Sequence, residues 1–565
     1  MKHLYLILLC FICLHGIKAQ DTTRHYFKTP NPKAFEQVIA ASKGGADNSI
    51  QHFPYPIIFV HGLISSGQTW SDFKEYATLN GWSFGGEMPY CLECDDNPSY
   101  SNINSLSTTD LCEFLGTLPL TAGDFYIMNF NVEPDGESYG TYHFNSCKSN
   151  QAAVVKQAAA VGHAIEAVLQ LTGKDKVILL GHSMGGLAIR AYLQDAANWQ
   201  LDGKHHVAKA ITTGTPHGGS NVSSANIAGA IADERSDGVR DLRHQYYVSE
   251  AKGVLLFGGI EDLDVMEDSY QSYFYNPDVN CDGFSGQYFE GLNQKAPVTD
   301  LDYACIIGGT DWVVSTESAN LKTYYPDLHC ENFVPDDGHL ALTGDTHFNF
   351  LALDEPDDYY LAYNIQKNAV YNGYFSVQGA GANYPQDDWD DYKFTMPQAG
   401  YVRALAGTLP ASNTGLYIVR ATDESRVAEI ESNGSNEIST PWTYLPIGQY
   451  YVEVVTTPGN WTWEYPYYFQ LQTSSPSATT APDFITALTV SPNPTTDIAT
   501  LEATFTDRLS GTIMLSDATG RLIEKQIFDG SDIRQSFSLS GQPAGLYFIT
   551  LYTAAGTQTW SVAKQ

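Results

Sequence analysis

The sequence is short of positive charge. Its 565 residues include 30 lysines and arginines against 64 aspartates and glutamates, which gives a formal net charge of −34 at pH 7. Nucleic acids and anionic membranes attract proteins through clustered basic residues, so this balance argues against either as a partner bound by charge. The acidic excess fits a well-hydrated exported protein but does not identify a substrate.

Long apolar runs are missing after the first few residues. Residues 1–19 have the pattern of a secretory signal peptide, with Lys2 as the positive start, an apolar core from Leu4 to Leu14, and a cleavage site after Ala19. The apolar core is too short for a membrane-spanning helix, and no later segment is long and apolar enough. We therefore predict an exported chain without a transmembrane segment.

Cysteine is sparse. Nine cysteines occur in the chain, and the signal peptide holds two of them, Cys10 and Cys13. Export favours disulfides, but the odd number that remains leaves one cysteine over, and the pairing cannot be deduced. Cys91-x-x-Cys94 has no second such pair, so we predict a structural disulfide or a link to Cys112 rather than a metal or redox site.

One stretch has the features of a reactive centre. Val177–Leu180 is a short apolar run, and beyond it lies Gly181-His182-Ser183-Met184-Gly185, which fits Gly-x-Ser-x-Gly. Apolar residues at helical spacing follow. A serine between a strand and a helix stands clear of the sheet, and the flanking glycines leave room for the tight turn. Ser183 is therefore the candidate nucleophile.

Apolar runs and helical patterns alternate over residues 55–365. This alternation predicts a parallel sheet covered by helices on both faces. The helices are expected from about Ser66 and over 151–171, with Gly173 as the stop. The strands are expected at 56–60, 124–130, 177–180, 207–213, 302–307 and 332–334.

Three motifs in this region resemble those of the α/β-hydrolase lipases and esterases. They are His61-Gly62, Gly-His-Ser-Met-Gly-Gly at 181–186 and Gly-Thr-Pro-His-Gly-Gly at 214–219. The resemblance covers about half the chain. It implies an α/β-hydrolase fold and a catalytic triad in the order serine, acid, histidine.

The chain offers an acid and a base in that order. Asp311 lies in Gly-Gly-Thr-Asp-Trp-Val-Val, similar to a loop of the family, and ranks above its rivals Asp262 and Asp264. His339 lies in Asp-Gly-His-Leu-Ala-Leu-Thr and ranks above His347, with His329 behind both. We expect His182 and His217 to pack or to orient loops rather than to carry protons.

The resemblance also implies an oxyanion hole. The backbone amide after the nucleophile belongs to Met184, and the amide after His61-Gly62 belongs to Leu63. Two such donors stabilise the negative oxygen of a tetrahedral intermediate. The expected chemistry needs no cofactor.

An insertion at about 220–300 separates core strands. Its small, apolar first part forms either a lid or a plain covering helix. Further on, Asp278, Asn280 and Asp282 stand in Asp-x-Asn-x-Asp-Gly, the first half of a calcium loop. We expect a structural calcium there, although Phe289 stands where a bidentate glutamate belongs. The alternative to a calcium site is a solvated turn without a bound ion.

Beyond 365 the pattern becomes strand-like, with alternating aromatic and polar residues. This part is similar to the small β-sandwich appended to many secreted bacterial hydrolases, and its tryptophans suit core packing better than a binding face. After a linker, Val490-Ser-Pro-Asn-Pro494, Asp517-Ala-Thr-Gly-Arg521 and Pro543-Ala-Gly-Leu-Tyr-Phe548 resemble the C-terminal sorting domain of type IX secretion in Bacteroidetes. That resemblance implies the type IX machinery as a partner.

The predicted fold class is an α/β-hydrolase catalytic domain followed by two small all-β sandwich domains. The predicted activity is a secreted serine ester hydrolase, a lipase or esterase; the alternative is an adhesion protein on an inactive hydrolase scaffold. The expected segments are the signal peptide 1–19, an N-terminal segment 20–54, the catalytic domain 55–365, the accessory sandwich 366–474, the linker 475–483 and the sorting domain 484–565.

Overall fold

The structure is a computed structural model. It describes residues 53–94, 120–133, 148–220, 232, 236–242, 256–260, 284, 286–344, 346–375, 388–407, 409, 414–432, 435, 437–456, 466–474, 485–517, 521–553 and 556–565. The predicted signal peptide and most of the insertion lie outside these residues, so neither the leader nor the choice between lid and covering helix is described.

A seven-stranded parallel sheet forms the first part of the chain, in the order β2-β3-β1-β4-β5-β8-β9. Nearly every residue of the central strands is buried, as expected for a sheet covered on both faces. A separate two-stranded sheet pairs β6 with β7. The strands are β1 Ile57–Val60, β2 Phe84–Pro89, β3 Phe125–Asn129, β4 Val177–His182, β5 Val207–Thr213, β6 Gly259–Ile260, β7 Tyr288–Phe289, β8 Asp302–Ile306 and β9 Glu331–Phe333.

Helices fill the connections between these strands. The long helix α2 ends where its sequence predicts, because Gly173 adopts a left-handed conformation (φ 68°) and its amide bonds the carbonyl of Leu169. Ser66 accepts from the amide of Gln68 at the start of a 3-10 turn that leads into α1. The helices are α1 Ser71–Leu79, α2 Val154–Thr172, α3 Met184–Leu193, α4 Asp237–Asp241, α5 Thr316–Ala319 and α6 Thr346–Leu351.

Strand β2 was not expected from the sequence, since Phe-Gly-Gly-Glu-Met-Pro has weak strand character. It lies at the edge of the sheet, where a proline at the strand end is tolerated. Gly85 is required by packing: a Cβ there would come within 2.2 Å of the Tyr126 ring. The packing of Gly85 against Tyr126 of the neighbouring strand β3 therefore accounts for this strand better than its own sequence does.

Two five-stranded sheets follow, in the orders β10-β12-β18-β14-β15 and β11-β19-β13-β16, with β17 beside β13. Their apolar residues join one continuous core with one face of the hydrolase sheet. For example, Phe350 lies on α6, which follows the hydrolase sheet in the chain, and its ring centroid is 5.7 Å from that of Tyr374. The strands are β10 Tyr363–Asn364, β11 Val370–Gly373, β12 Asp388–Met396, β13 Gly400–Gly407, β14 Thr414–Arg420, β15 Arg426–Glu431, β16 Glu437–Ser439, β17 Thr443–Leu445, β18 Gly448–Thr456 and β19 Tyr467–Ser474.

The C-terminal part has a core of its own. Alternate residues of its strands, among them Leu501, Leu515 and Ile549, form an apolar cluster that is separate from the other cores. Its five strands pair antiparallel in a single sheet. They are β20 Ile485–Ser491, β21 Ile498–Asp517, β22 Leu522–Ser538, β23 Gly545–Thr553 and β24 Gly556–Lys564.

In the described part of the chain, none of the helices has the length and apolar character needed to cross a membrane. Cys94 is disulfide-bonded, while Cys112 lies outside the described residues.

Candidate active site

The loops that carry the motifs meet at one edge of the parallel sheet. Each motif follows the carboxyl end of a strand: β1, β4, β5, β8 and β9. Carboxyl ends of parallel strands lie side by side, and ligands of open α/β sheets bind there. The order of the sheet thus brings together segments that are far apart in the sequence.

Ser183 occupies a strained turn between β4 and α3. Its backbone has φ 54° and ψ −125°, which a serine adopts only when the surroundings enforce it. Its amide bonds the carbonyl of Thr213 at 2.9 Å. Any side chain at Gly185 would collide with the backbone, since a Cβ there would lie 2.5 Å from the carbonyl oxygen of Val60. The glycines of the motif therefore leave space for the turn, as the sequence predicts.

The structure brings Ser183, His339 and Asp311 into one hydrogen-bonded line. His339 Nε2 lies 3.0 Å from Ser183 Oγ. His339 Nδ1 lies 2.8 Å from Asp311 Oδ2. The carboxylate fixes the proton on Nδ1, which leaves Nε2 free to accept the proton of the serine hydroxyl. The three residues are 156 and 28 positions apart along the chain.

Asp311 is fixed by its own loop. Its second oxygen, Oδ1, accepts the amides of Val313 and Val314 at 2.8 and 3.0 Å. The side chain is 1% exposed. Three hydrogen bonds to one buried carboxylate hold it in a single orientation.

The His339 loop is held by a second histidine. His182 Nε2 donates to the carbonyl of His339 at 3.0 Å. Burial, and then the neighbouring His339, lower the pKa of His182 to about 3, so this ring stays neutral. Gly214 closes the other side, because a Cβ there would lie 3.2 Å from His339 Nδ1. His182 and Gly214 hold His339 in place, and among the described residues neither forms a hydrogen bond with Ser183.

The rival candidates fall elsewhere. His329 contacts Asp302 at 3.3 Å, at the start of β8 and hence at the opposite edge of the sheet. Asp262, Asp264 and the side chain of His347 lie outside the described residues. His217 is buried, and Thr212 Oγ1 contacts its Nε2 at 3.2 Å.

The loop after β1 lies directly against Ser183. A Cβ on Gly62 would lie 2.7 Å from the Cβ of Ser183 and 3.3 Å from its Oγ. The next amide, that of Leu63, has no hydrogen-bond partner among the described residues. Met184 begins α3, so its amide belongs to the first turn of a helix and lacks an intrahelical acceptor. Both expected oxyanion donors thus border Ser183.

His61 fixes this loop. Its Nδ1 donates to the carbonyl of Gly62 at 2.8 Å, and its Nε2 accepts the amide of Phe130 at 2.8 Å. Burial lowers the pKa of His61 to about 4, which keeps the ring neutral and able to serve as both donor and acceptor. The sequence marks His61 as a motif residue but does not reveal this role, since both partners are backbone groups.

Arg190 is a second residue that sequence reasoning missed. It lies on α3, is buried, and donates to the carbonyl of Leu292, to Asn293 Oδ1 and to the Tyr325 hydroxyl. It thereby ties the helix behind the nucleophile to the end of the insertion. An arginine amid an apolar helix pattern is the signal that could have found it.

Exposed apolar side chains flank the site. Trp312 follows Asp311 and is 61% exposed; Leu340 follows His339 and is also 61% exposed.

Asp278, Asn280 and Asp282, the predicted calcium ligands, lie outside the described residues. Phe289 belongs to β7, and Glu290 follows it.

A family model described as the α/β hydrolase fold matches residues 55–344, just over half of the chain. The chain therefore belongs to the α/β-hydrolase fold family, and the predicted fold class is confirmed. A second model, described as a secretion system C-terminal sorting domain, matches residues 489–565. This domain implies secretion or attachment at the cell surface, with the type IX machinery as the partner.

The comparison with curated proteins gives no match. Among solved structures, a protein from Listeria innocua is 14% identical, covers 52% of this chain and 89% of its own, and has a TM-score of 0.29. A lipase-esterase related protein from Clostridium acetobutylicum is 13% identical, with 53% and 90% covered and a TM-score of 0.25. The pre-peptidase C-terminal domain of a collagenase from Bacillus anthracis is 18% identical, with 21% and 99% covered and a TM-score of 0.15. These likenesses are too distant to assign a function.

Proposed function

We propose that this exported α/β hydrolase is a serine ester hydrolase, a lipase or esterase, with Ser183, His339 and Asp311 as its triad. The observation that carries the proposal is the line of hydrogen bonds from Ser183 Oγ through His339 to Asp311, at 3.0 and 2.8 Å. This spacing suits direct proton transfer between nucleophile and base. No cofactor is needed for the chemistry that follows.

In the proposed reaction, Ser183 Oγ attacks the ester carbonyl carbon while His339 Nε2 takes the hydroxyl proton. The carbonyl oxygen becomes negative and binds the amides of Leu63 and Met184. His339 then gives its proton to the departing alkoxide, which leaves an acyl-enzyme on Ser183. Water, activated by the same histidine, releases the acid and restores the serine. Asp311 stabilises the imidazolium in both steps.

The substrate class follows from the surroundings of the triad. Trp312 and Leu340 expose apolar surface next to the acid and the base. Such a rim favours esters with an apolar group over small charged esters. We therefore propose a lipid or another apolar ester as the substrate.

A fluorophosphonate probe tests the proposal directly. The proposed enzyme is labelled at Ser183 and hydrolyses p-nitrophenyl esters of graded chain length, with longer chains preferred. The alternative, a binding protein on an inactive scaffold, predicts neither labelling nor turnover by folded protein.

The calcium loop at Asp278, Asn280 and Asp282 remains a proposal, with a structural role in the insertion. Melting of wild type and Asp282→Ala with and without chelator tests it.

A further inference from the structure

Three carboxylates are buried together where the hydrolase sheet meets the β-sandwich. Asp354 and Glu355 follow α6, and Asp390 lies on β12 of the sandwich. One oxygen from each residue lies within 4.8 Å of the other two. Asp354 and Asp390 are 0% exposed and Glu355 is 2% exposed. Carboxylates are rarely buried so deeply unless they are paired or bind a metal.

Several oxygens of this cluster have no hydrogen-bond donor among the described residues. Neither carboxylate oxygen of Asp354 has a partner, and one oxygen each of Glu355 and Asp390 is likewise without one. Their other oxygens are satisfied: Glu355 Oε2 accepts the amide of Tyr374 at 3.3 Å, and Asp390 Oδ2 accepts the Tyr467 hydroxyl at 2.5 Å. A buried oxygen without a hydrogen-bond partner is costly, so four such oxygens in one place favour a cation as their partner.

Among the described residues, Lys209 contacts Asp354 but makes no ion pair with the three carboxylates. Lys209 on β5 bonds the main-chain oxygen of Asp354 at 2.6 Å, not its carboxylate. Its charge pairs instead with Asp302 at 2.8 Å and Glu331 at 3.8 Å. Burial opposes the ammonium, but these carboxylates outweigh it and hold the pKa of Lys209 well above its ordinary value. Lys209 thus holds the backbone of Asp354, and the carboxylate of Asp354 is left to bind another cation.

We propose that Asp354, Glu355 and Asp390 bind a divalent cation, calcium. Hard oxygen ligands suit calcium, whose bonds to oxygen measure about 2.3–2.6 Å. Ligand atoms within 4.8 Å of one another can all touch a single ion of that size. Magnesium fits less well, because it keeps most of its waters and these carboxylates are almost fully buried.

The ion has a structural role. Asp354 is fixed to the hydrolase sheet through Lys209, whereas Asp390 belongs to a sandwich strand. A cation that binds both joins the two parts at a point where their carboxylates otherwise repel each other. It stands apart from the triad and takes no part in the proposed ester chemistry.

Calcium titration of the full chain tests this site, in an Asp282→Ala background that removes the separate calcium loop. We expect one calcium per chain by calorimetry. We also expect the melting temperature to rise by about 3 °C when calcium stands at about a hundred times its Kd. The double variant D354N/D390N should lose both effects.

Asp391→Asn is the matched control. Asp391 is on the same strand and is also buried, but adjacent strand residues point to opposite faces, and it is not in the cluster. This variant should keep its calcium response.

The melting temperature of D354N/D390N should change in opposite directions, relative to the Asp282→Ala protein, in chelator and in calcium. Without calcium, D354N/D390N relieves repulsion and should melt at or above the Asp282→Ala protein; with calcium it should melt below it. If the Asp282→Ala protein melts identically with calcium and with chelator, or D354N/D390N still binds one calcium, the proposal is wrong.

Discussion

At the scale of single residues, the proposed chemistry depends on the hydrogen bond between Ser183 Oγ and His339 Nε2. Ser183→Ala removes the nucleophile and His339→Ala removes the base. We expect each to lower kcat for ester hydrolysis by about 10⁶, with little added loss in the double variant, because the two act as a unit. Steady-state kinetics on p-nitrophenyl esters measures the effect.

His347→Ala is the control for this comparison, and we expect it to be mild. Unchanged melting curves must accompany the lost activity of Ser183→Ala and His339→Ala. If His347→Ala is inactive while His339→Ala turns over normally, the base has been assigned to the wrong loop.

Ser183, Asp311 and His339, which the structure brings together, could be selected from the sequence because their motifs carry local signals. The serine is flanked by glycines, and the acid and the histidine each follow a strand. The residues that position them could not be selected in this way. His182 acts through the carbonyl of His339, 157 positions away, and His61 acts through the amide of Phe130. Backbone partners leave no trace in residue identity, so only the fold reveals these contacts.

At the scale of elements, the turn after β1 must pass very close to the nucleophile. In Gly62→Ala the new methyl would lie 2.7 Å from the Cβ of Ser183, so the loop that carries the Leu63 amide must move. Because oxyanion donors act only at close range, we expect kcat to fall by roughly 10²-fold. Gly338→Ala is the matched control, since its methyl meets only the Thr310 carbonyl oxygen, at 3.9 Å. Equal activity of the two variants would contradict the close approach.

Strand β18 carries a buried glutamate whose titration should affect stability. Burial raises the pKa of Glu453 to about 7. The folded state therefore keeps a proton that the unfolded state loses above its ordinary pKa of about 4.3. Stability from this group is full at low pH and falls as the pH rises from about 4 to 7, by roughly 3 kcal/mol.

Glu453→Gln cannot ionise, and its side-chain oxygen can still accept the Tyr359 hydroxyl that Glu453 accepts. We expect this variant to match the wild type at pH 4.5 and to melt higher at pH 8. Melting curves across this range decide the matter; a variant that is less stable at pH 8 would show that the carboxylate is charged and paired in the fold.

Elements with a strong local period could be predicted closely, and others could not. Strand β5 runs over Val207–Thr213 as expected, and α2 stops before Gly173. Strand β2 could not be predicted, because Gly85 is explained only by its packing against the ring of Tyr126. The shared core of sandwich and hydrolase was likewise invisible, since apolar alternation does not say which surface it packs against.

At the scale of the whole molecule, the sorting domain has its own apolar core. We expect a chain truncated near Ser477 to keep its proposed ester hydrolysis when purified, because Ser183, Asp311, His339 and the core shared by the hydrolase sheet and the sandwich lie before that point. The same truncation should abolish export from the native host, since the sorting domain is removed. Activity assays on purified protein and immunoblots of culture medium and cell surface provide the readouts. If the truncated protein folds but is inactive, residues beyond Ser477 are needed for activity and the prediction is wrong.

The continuous core between the hydrolase sheet and the sandwich has a consequence for the history of the chain. Replacing the sandwich with an unrelated domain would separate Tyr374 from Phe350 and expose both side chains to water. Recombination is therefore expected to inherit these two parts as one piece. Among the described residues, the sorting domain shares no apolar cluster with them. It is therefore expected to be transferable as a unit to the C-terminus of unrelated exported proteins.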